Sequence, residues 1–368
     1  MTGSSDQSRP SLVEITRRAF VAGAPALVLC RAEAQAPELR DPFRFQVDRW
    51  ERIRELRIRV PRNRACRSIP PPLKGFVGTS YYSDRDRSIV DPERLSLWEE
   101  QREPLLTFTV GVEKQVSIWL TSIGTHEGSL RCAVRWLVAW ARSDALAGDF
   151  NDQSFAALRW CTTGLANAYL NIRGSRHLQG SERAEIDQWF AALAARCRES
   201  VGSHENNHLY WAAAAVAAAS VAGNDRSLFE WAVSAAQRGI RAISDDGALP
   251  MELKRGGRAL GYHCFSLCAL LTVAEYAHWN GVNLYEQDNS ALARLVDFVL
   301  RNVHNPTELE HMTGVKQEWS GLSDGAFGWA EMWQSRFPDG RLTPILAQLR
   351  PVTMAYLGGN QTLMFGRA

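Results

Sequence analysis

Residues 212–222 are apolar on every side. A helix with no polar face has to be buried. Eleven residues are too few to cross a bilayer, so this helix must be enclosed by other protein. Its alanines let neighbouring helices approach closely. The rest of the chain supplies the neighbours. Helical spacing of apolar residues recurs over 130–146, with Val134, Leu137, Val138 and Ala141 on one face, and over 155–172. A further helix starts at Ser181 with Glu182 and Glu185 in its first turn, and others cover 228–243, 263–279 and 290–303. The charged stretch 37–63 carries Phe43, Val47, Trp50, Ile53 and Leu56 at helix-like intervals and predicts one early helix. Strand-like alternation is confined to 105–112 and the C-terminal tail. The fold class is therefore all-α. Helices of similar length joined by short turns suggest hairpins arranged around a centre, which a bundle and an α/α toroid both satisfy.

Residues 68–91 interrupt this pattern. The segment opens Ser68-Ile69-Pro70-Pro71-Pro72 and continues through Gly75, Gly78 and Ser80-Tyr81-Tyr82-Ser83-Asp84. Proline and glycine exclude a continuous helix, so the segment is a long loop of the kind that serves as a lid or binding loop.

The first 36 residues read as an export signal. A polar stretch with Arg9, Arg17 and Arg18 precedes an apolar run over 19–30, then Ala34-Gln35-Ala36 offers small-x-small cleavage. Thr16-Arg17-Arg18-Ala19-Phe20 resembles a twin-arginine motif, with an ordinary secretory signal as the alternative. The expected location is the periplasm, with 37–368 as one domain and no later membrane span. Cys30 would leave with the signal. The remaining cysteines, Cys66, Cys132, Cys161, Cys197, Cys264 and Cys268, show no CxxC pairing, which argues against a metal cluster and leaves their connectivity open. A net charge of +2 is too mild for a nucleic-acid partner, though a local basic cleft remains compatible with it. The 13 tryptophans fit core packing or stacking on sugar faces.

Two segments concentrate chemistry. One is His204-Glu205-Asn206-Asn207-His208-Leu209-Tyr210-Trp211, just before the alanine helix. The other runs from Asp246 to His263 and places Arg255, Arg258, Tyr262 and His263 beside a glycine-rich turn. His204-Glu205-x-x-His208 matches a zinc-peptidase pattern, but that motif needs a helix and a third ligand. Asn206-Asn207 is a poor helix centre, Trp211 stands where a metzincin would have glycine, and Glu230 lacks a supporting motif.

Asn207-His208-x-Tyr210-Trp211 together with Arg255-x-x-Arg258-Ala259-Leu260-x-Tyr262-His263 resembles the signature pair of the alginate lyases of polysaccharide lyase family 5. The intervals also look like the family's: 47 from His208 to Arg255 (255 − 208) and 7 from Arg255 to Tyr262 (262 − 255). The likeness extends to Cys66-x-x-x-Pro70-Pro71-Pro72, Ser80-x-Tyr82-x-x-x-x-x-Ser88, Cys132-Ala133-Val134-Arg135-Trp136-Leu137, Thr313-Gly314-x-x-Gln317 and Leu357-Gly358-Gly359. It implies an incomplete (α/α) toroid with a tunnel-like cleft, no cofactor or required metal, a Cys66–Cys132 disulfide, and an anionic polysaccharide, mannuronate-type in particular, as substrate of a monomer.

The residue types fit β-elimination of a 4-O-linked uronate. That reaction needs the C6 carboxylate neutralised, a base for the C5 proton and an acid for the leaving O4. Asn207 can donate to the carboxylate. Arg255 can pair with it or lower a nearby phenol's pKa, and His208 can be base or neutraliser. Tyr262 can protonate O4 and, where C5–H and O4 share a face, also act as base; the resemblance favours that double role. Tyr82, Arg85 and Arg87 lie on the lid, and Gln153 and Arg350 are candidate subsite contacts. Trp136 and Trp211 are core residues or sugar platforms. Arg258 is expected in an ion pair with Glu252 or Asp246, and His263 in a structural role. One departure stands out: Tyr81 occupies a position where the family carries Lys or Arg. The competing readings are a glycoside hydrolase, which needs two carboxylates across a cleft, a zinc peptidase, and a non-catalytic glycan-binding protein.

Overall fold

Polar residues that cap helices set where this chain turns. The computed structural model describes residues 37–43, 53–56, 58, 66–122, 125–319 and 321–367. Asp91 accepts from Glu93 N and Arg94 N (both 3.1 Å) with proline next to it, which starts α1 (Pro92–Thr121). Then follow α2 (Glu127–Arg142), α3 (Asp152–Arg173) behind an Asn151–Ser154 capping box, and α4 (Gly180–Glu199). The alanine run lies in α5 (Asn207–Gly223), capped by Asn206. Asn224 takes a left-handed conformation (φ 53°) and Asp225 accepts from Leu228 N (2.9 Å). Those two residues close α5 and open α6 (Arg226–Arg241), a tight helical hairpin.

A short α7 (Pro250–Leu253) and a 3₁₀ turn (Gly256–Arg258) lead into α8 (Ala259–Trp279), followed by α9 (Gln287–His304). The C-terminal part holds α10 (Thr307–Thr313), α11 (Asp324–Phe327), α12 (Ala330–Arg336), α13 (Leu342–Leu349) and α14 (Gln361–Phe365). Before α14, strands β1 (Thr353–Met354) and β2 (Gly359–Asn360) form a two-residue antiparallel pair. The strand-like tail thus yields only this small hairpin. Residues 105–112, which alternate like a strand, lie inside α1, because Leu105, Phe108, Val112 and Val116 also form a helical stripe, and that stripe is the buried one.

The segments predicted as helices correspond to α2–α6, α8 and α9. Every residue from Asn207 to Ala222 is buried, and α5 packs against α3, α4, α6 and α8. Small side chains permit the approach: a Cβ on Gly239 of α6 would sit 2.5 Å from the Tyr210 ring. Residues 38–368 form one compact unit. Among the described residues no helix is long and apolar enough to cross a membrane. The expected leader lies outside the described residues, as do Val47 and Trp50 of the expected early helix. Its described parts are not one helix: 37–43 are irregular and 53–55 helical, with the Phe43 ring against Tyr276 and Phe365.

The loop over 68–91 contains no helix. Asn151 fastens it, bonding Gly78 through both N (3.0 Å) and O (2.8 Å). Asp84 gathers its tip by accepting from Ser88 N and Ile89 N. Cys66 and Cys132 are disulfide-bonded, tying the start of the loop to α2, whereas Cys161, Cys197, Cys264 and Cys268 are free and buried.

His263 is structural. Its Nδ1–H donates to Ala259 O (2.7 Å) and its Nε2 accepts from Leu249 N (2.9 Å), so the ring staples α8 to the turn before α7. Burial lowers its pKa to about 4.

Both staples should be visible in stability measurements. Replacing Cys66 and Cys132 with serine should lower the unfolding free energy by roughly 2–4 kcal/mol in urea titrations. His263 is neutral in the fold but takes up a proton below its ordinary pKa near 6.5 once unfolded, so it stabilises above that value. Stability should fall by up to roughly 3 kcal/mol as pH drops from about 6.5 towards 4, and His263→Gln should flatten that slope in melts taken across the range.

Candidate active site

A cleft of about 370 Å³ opens where the start of α3, the start of α5, the start of α8 and the lid loop meet. Asn207, His208, Tyr262, Tyr82 and Gln153 all line it, together with Arg87. The sequence motifs reach this point through helix termini. Asn206 caps α5 and so puts Asn207 and His208 on its first turn, and the 3₁₀ turn puts Tyr262 on the first turn of α8.

Glu252 sets this geometry. Its carboxylate is wholly buried and accepts from Asn207 N (2.7 Å) and from Asn207 Nδ2 (3.1 Å to each oxygen), and it pairs with Arg255 Nε (3.4 Å). Burial raises its pKa, while Arg255 and the Asn207 hydrogen bonds oppose that rise. Arg255 also donates to Asp86 O on the lid tip (3.1 Å), and its guanidinium lies 4.7 Å from the centre of the Tyr262 ring. Arg255 therefore stands behind Tyr262 rather than lining the cleft.

The Tyr262 hydroxyl is hydrogen-bonded to the Tyr82 hydroxyl, which in turn donates to Tyr81 (3.1 Å). Arg258 donates to Tyr82 Oη (2.7 Å) and lies over both the Tyr82 and Tyr262 rings. The ion pair expected between Arg258 and Glu252 or Asp246 is not formed, because Glu252 is committed to Asn207 and Arg255. Arg258 instead brings a cation to the lid tyrosines. Burial is the largest influence on Tyr262 and raises its pKa; Arg255 and Arg258 oppose it without prevailing, so the resting group is a phenol.

His208 is buried between two arginines, Arg87 from the lid and Arg159 from α3. Burial, then Arg159, His204 and Arg87, lower its pKa well below the usual value, against Asp152. His204 stacks on it at 4.7 Å and bonds Asp152 (2.9 Å), which also pairs with Arg87 (2.7 Å). His204 precedes the Asn206 cap, so the His-Glu-x-x-His pattern does not lie on one helix. Among the described residues no group of three or more His, Cys, Asp or Glu is placed to hold a metal ion.

Four predicted contacts lie elsewhere. Trp136 stacks on Phe108 in the core, and Trp211 is fully buried beneath Phe265. Arg350 pairs with Glu331 (2.9 Å), and Arg85 is exposed on the lid outside the cleft lining. The aromatic wall comes instead from Trp160, Phe265 and Tyr356, the last held by Arg102 (2.6 Å to its hydroxyl). Sequence reasoning missed these, and Arg159 as well. Arg159 left one trace: it falls on the helical stripe Phe155, Arg159, Thr162, Ala166, where a lone cation has to find a partner. Among the described residues that line the cleft, Glu318 is the only carboxylate, which leaves a two-carboxylate hydrolase without its opposing partner.

The all-helical fold with this cleft meets its class in the comparisons with known proteins, which are lyases. The profile of the family described as Alginate lyase matches residues 79–309. An alginate lyase of Pseudomonas aeruginosa is 33% identical over 320 residues, covering 82% of this chain and 86% of the relative. A polysaccharide lyase of Stenotrophomonas maltophilia is 33% identical over 307 residues, covering 82% and 90%. Among solved structures, alginate lyase A1-III from a Sphingomonas species superposes with a TM-score of 0.76 at 21% identity, over 90% of this chain and 98% of that one. A variant of A1-III complexed with a tetrasaccharide gives 0.78 at 20% identity, over 91% and 98%. The chain belongs to the alginate lyase family, and its fold is the (α/α) toroid. The narrower assignment to polysaccharide lyase family 5 is corrected to this: the matching profile and the A1-III toroids carry the alginate lyase description and not that numbered subdivision.

If Glu252 organises the site, Glu252→Ala should strand a buried guanidinium and lower stability by about 3–5 kcal/mol in urea unfolding, with Glu252→Gln milder.

Proposed function

We propose that this enzyme cleaves 4-O-linked uronate polymers, alginate and its mannuronate blocks foremost, by β-elimination. We place it in the periplasm, reached through the leader over residues 1–36. The observation that carries the reading is the meeting of Tyr262 with the lid's Tyr82 in one cleft with Asn207 and His208, flanked by Arg255 and Arg258. The polymer class comes from the relatives named alginate lyase, and the location from the leader's sequence alone.

The residues divide the work as the reaction requires. The uronate carboxylate is met by His208, Asn207 and Arg87, which make the C5 proton removable. Tyr262 takes that proton as phenolate. The C5–H electron pair becomes the C4=C5 double bond, the C4–O4 bond breaks, and Tyr262 returns the proton to O4. The resting phenol must first lose its own proton, which the hydroxyls of Tyr82 and the partly exposed Tyr81 pass on to solvent. Arg255 and Arg258 hold the phenolate once the substrate is in place. Trp160, Phe265 and Tyr356 offer flat apolar surface to the sugar faces, with Gln153 donating nearby.

Mannuronate, guluronate and glucuronate polymers incubated with the enzyme should separate the readings. Lyase action yields an unsaturated uronate with new ultraviolet absorbance, fastest on polymannuronate. New reducing ends without absorbance would mean hydrolysis, and binding without turnover a glycan-binding protein. Tyr262→Phe should keep the fold and lose at least about 10²-fold in kcat. Near-normal enoate production by that variant would remove Tyr262 from the mechanism.

A further inference from the structure

The ring of His208 faces a guanidinium nitrogen at each of its own nitrogens. Arg159 Nη1 lies 3.2 Å from Nδ1, and Arg87 Nη1 lies 3.0 Å from Nε2. A guanidinium only donates, whereas a neutral imidazole has one accepting nitrogen and an imidazolium none. One of the two contacts is therefore a hydrogen bond, and the other sets two donors against each other. What else holds each arginine decides which.

Arg159 is 0% exposed and cannot turn to water. Its Nε donates to Ser200 Oγ (2.9 Å) and its Nη2 to Ser200 O, so the guanidinium is pinned with Nη1 aimed at His208. Denying that group an acceptor would leave a buried charged donor unsatisfied, the costly case for a hydrogen bond. Arg87 sits on the lid, with side-chain exposure of 27% and its other nitrogen on Asp152. It can keep Asp152 and turn Nη1 to solvent or to a ligand.

We infer that Arg159 is a positioning residue that fixes His208 as the tautomer with Nδ1 bare and Nε2 protonated, making His208 a hydrogen-bond donor to the substrate and not its base. Burial keeps the ring neutral, and Arg159, His204 and Arg87 facing it act in the same direction, against Asp152. The donor-against-donor contact between Arg87 and Nε2–H then has a function. A carboxylate inserted there accepts from both, which turns an unfavourable contact into two hydrogen bonds, the one from Arg87 charge-assisted on both sides. This rests on the proposed reading that the cleft receives a uronate carboxylate, but the tautomer itself does not.

Long-range ¹H–¹⁵N correlation on enzyme labelled at histidine nitrogens reads the tautomer directly, with the His208 signals assigned by their loss in His208→Gln. The expected wild-type spectrum has an unprotonated Nδ1 and a protonated Nε2, unchanged between about pH 5.5 and 8. Arg87→Ala should leave that pattern intact. Arg159→Met should replace it with exchanging tautomers, while kcat falls by between about 10²- and 10⁴-fold with little change in KM. Arg159→Lys should restore part of both. An Nδ1-protonated pattern in the wild type overturns the proposal even if no Arg159 variant folds, and so does an unchanged pattern in a folded Arg159→Met. An Nε2-protonated enzyme that leaves every uronate polymer intact would sink the proposed function and leave the tautomer assignment standing.

Discussion

A single buried carboxylate holds the catalytic half of this protein together. Glu252 belongs to a four-residue helix with little stability of its own. By accepting from both the backbone and the side chain of Asn207, it satisfies an orphan N–H group at the start of α5 and lends negative charge to that helix terminus. By pairing with Arg255, it fixes the turn that launches α8. Asn207, His208 and Tyr262 thus share one frame, although Asn207 and Tyr262 stand 55 positions apart in the chain (262 − 207).

Within that frame, burial governs the two titratable groups of the cleft, opposed by nearby cations at Tyr262 and reinforced by them at His208. Burial leads in both cases. It holds Tyr262 as a phenol despite Arg255 and Arg258, and it holds His208 neutral despite Asp152. The guanidiniums therefore act by direction. Arg159 orients the imidazole, whereas Arg255 and Arg258 sit against the tyrosine rings, where a phenolate formed during turnover would feel them. The lid belongs to the same network. Arg87 reaches His208, Tyr82 reaches Tyr262, and Asp86 takes a hydrogen bond from Arg255. Asn151 serves both sides, since it caps α3 and anchors Gly78 of the loop.

Much of this was legible along the chain. Helical periodicity located α2–α6, α8 and α9, because an amphipathic or wholly apolar stripe is a local property. The motif pair singled out Asn207, His208, Arg255 and Tyr262, and the fold brings three of them to one cleft with Arg255 behind Tyr262. Tryptophan was a poorer guide. Trp136 and Trp211 lie in the core whereas Trp160 and Trp319 line the cleft, and all four are the same residue type in helical or turn-rich sequence.

The sequence by itself determined α2–α6, α8 and α9, the long loop over 68–91 and the residue types able to carry an elimination, because each depends on local pattern or on side-chain chemistry. Tertiary structure alone decided which partners those residues keep. It gave Glu252 to Asn207 and Arg255, left Arg258 to the tyrosines, sent Arg350 to Glu331, and put the unforeseen Arg159 behind His208. Charge pairing and burial join residues far apart in the chain, and for a buried ion the choice among partners is made by distance and desolvation, which no spacing along the sequence encodes.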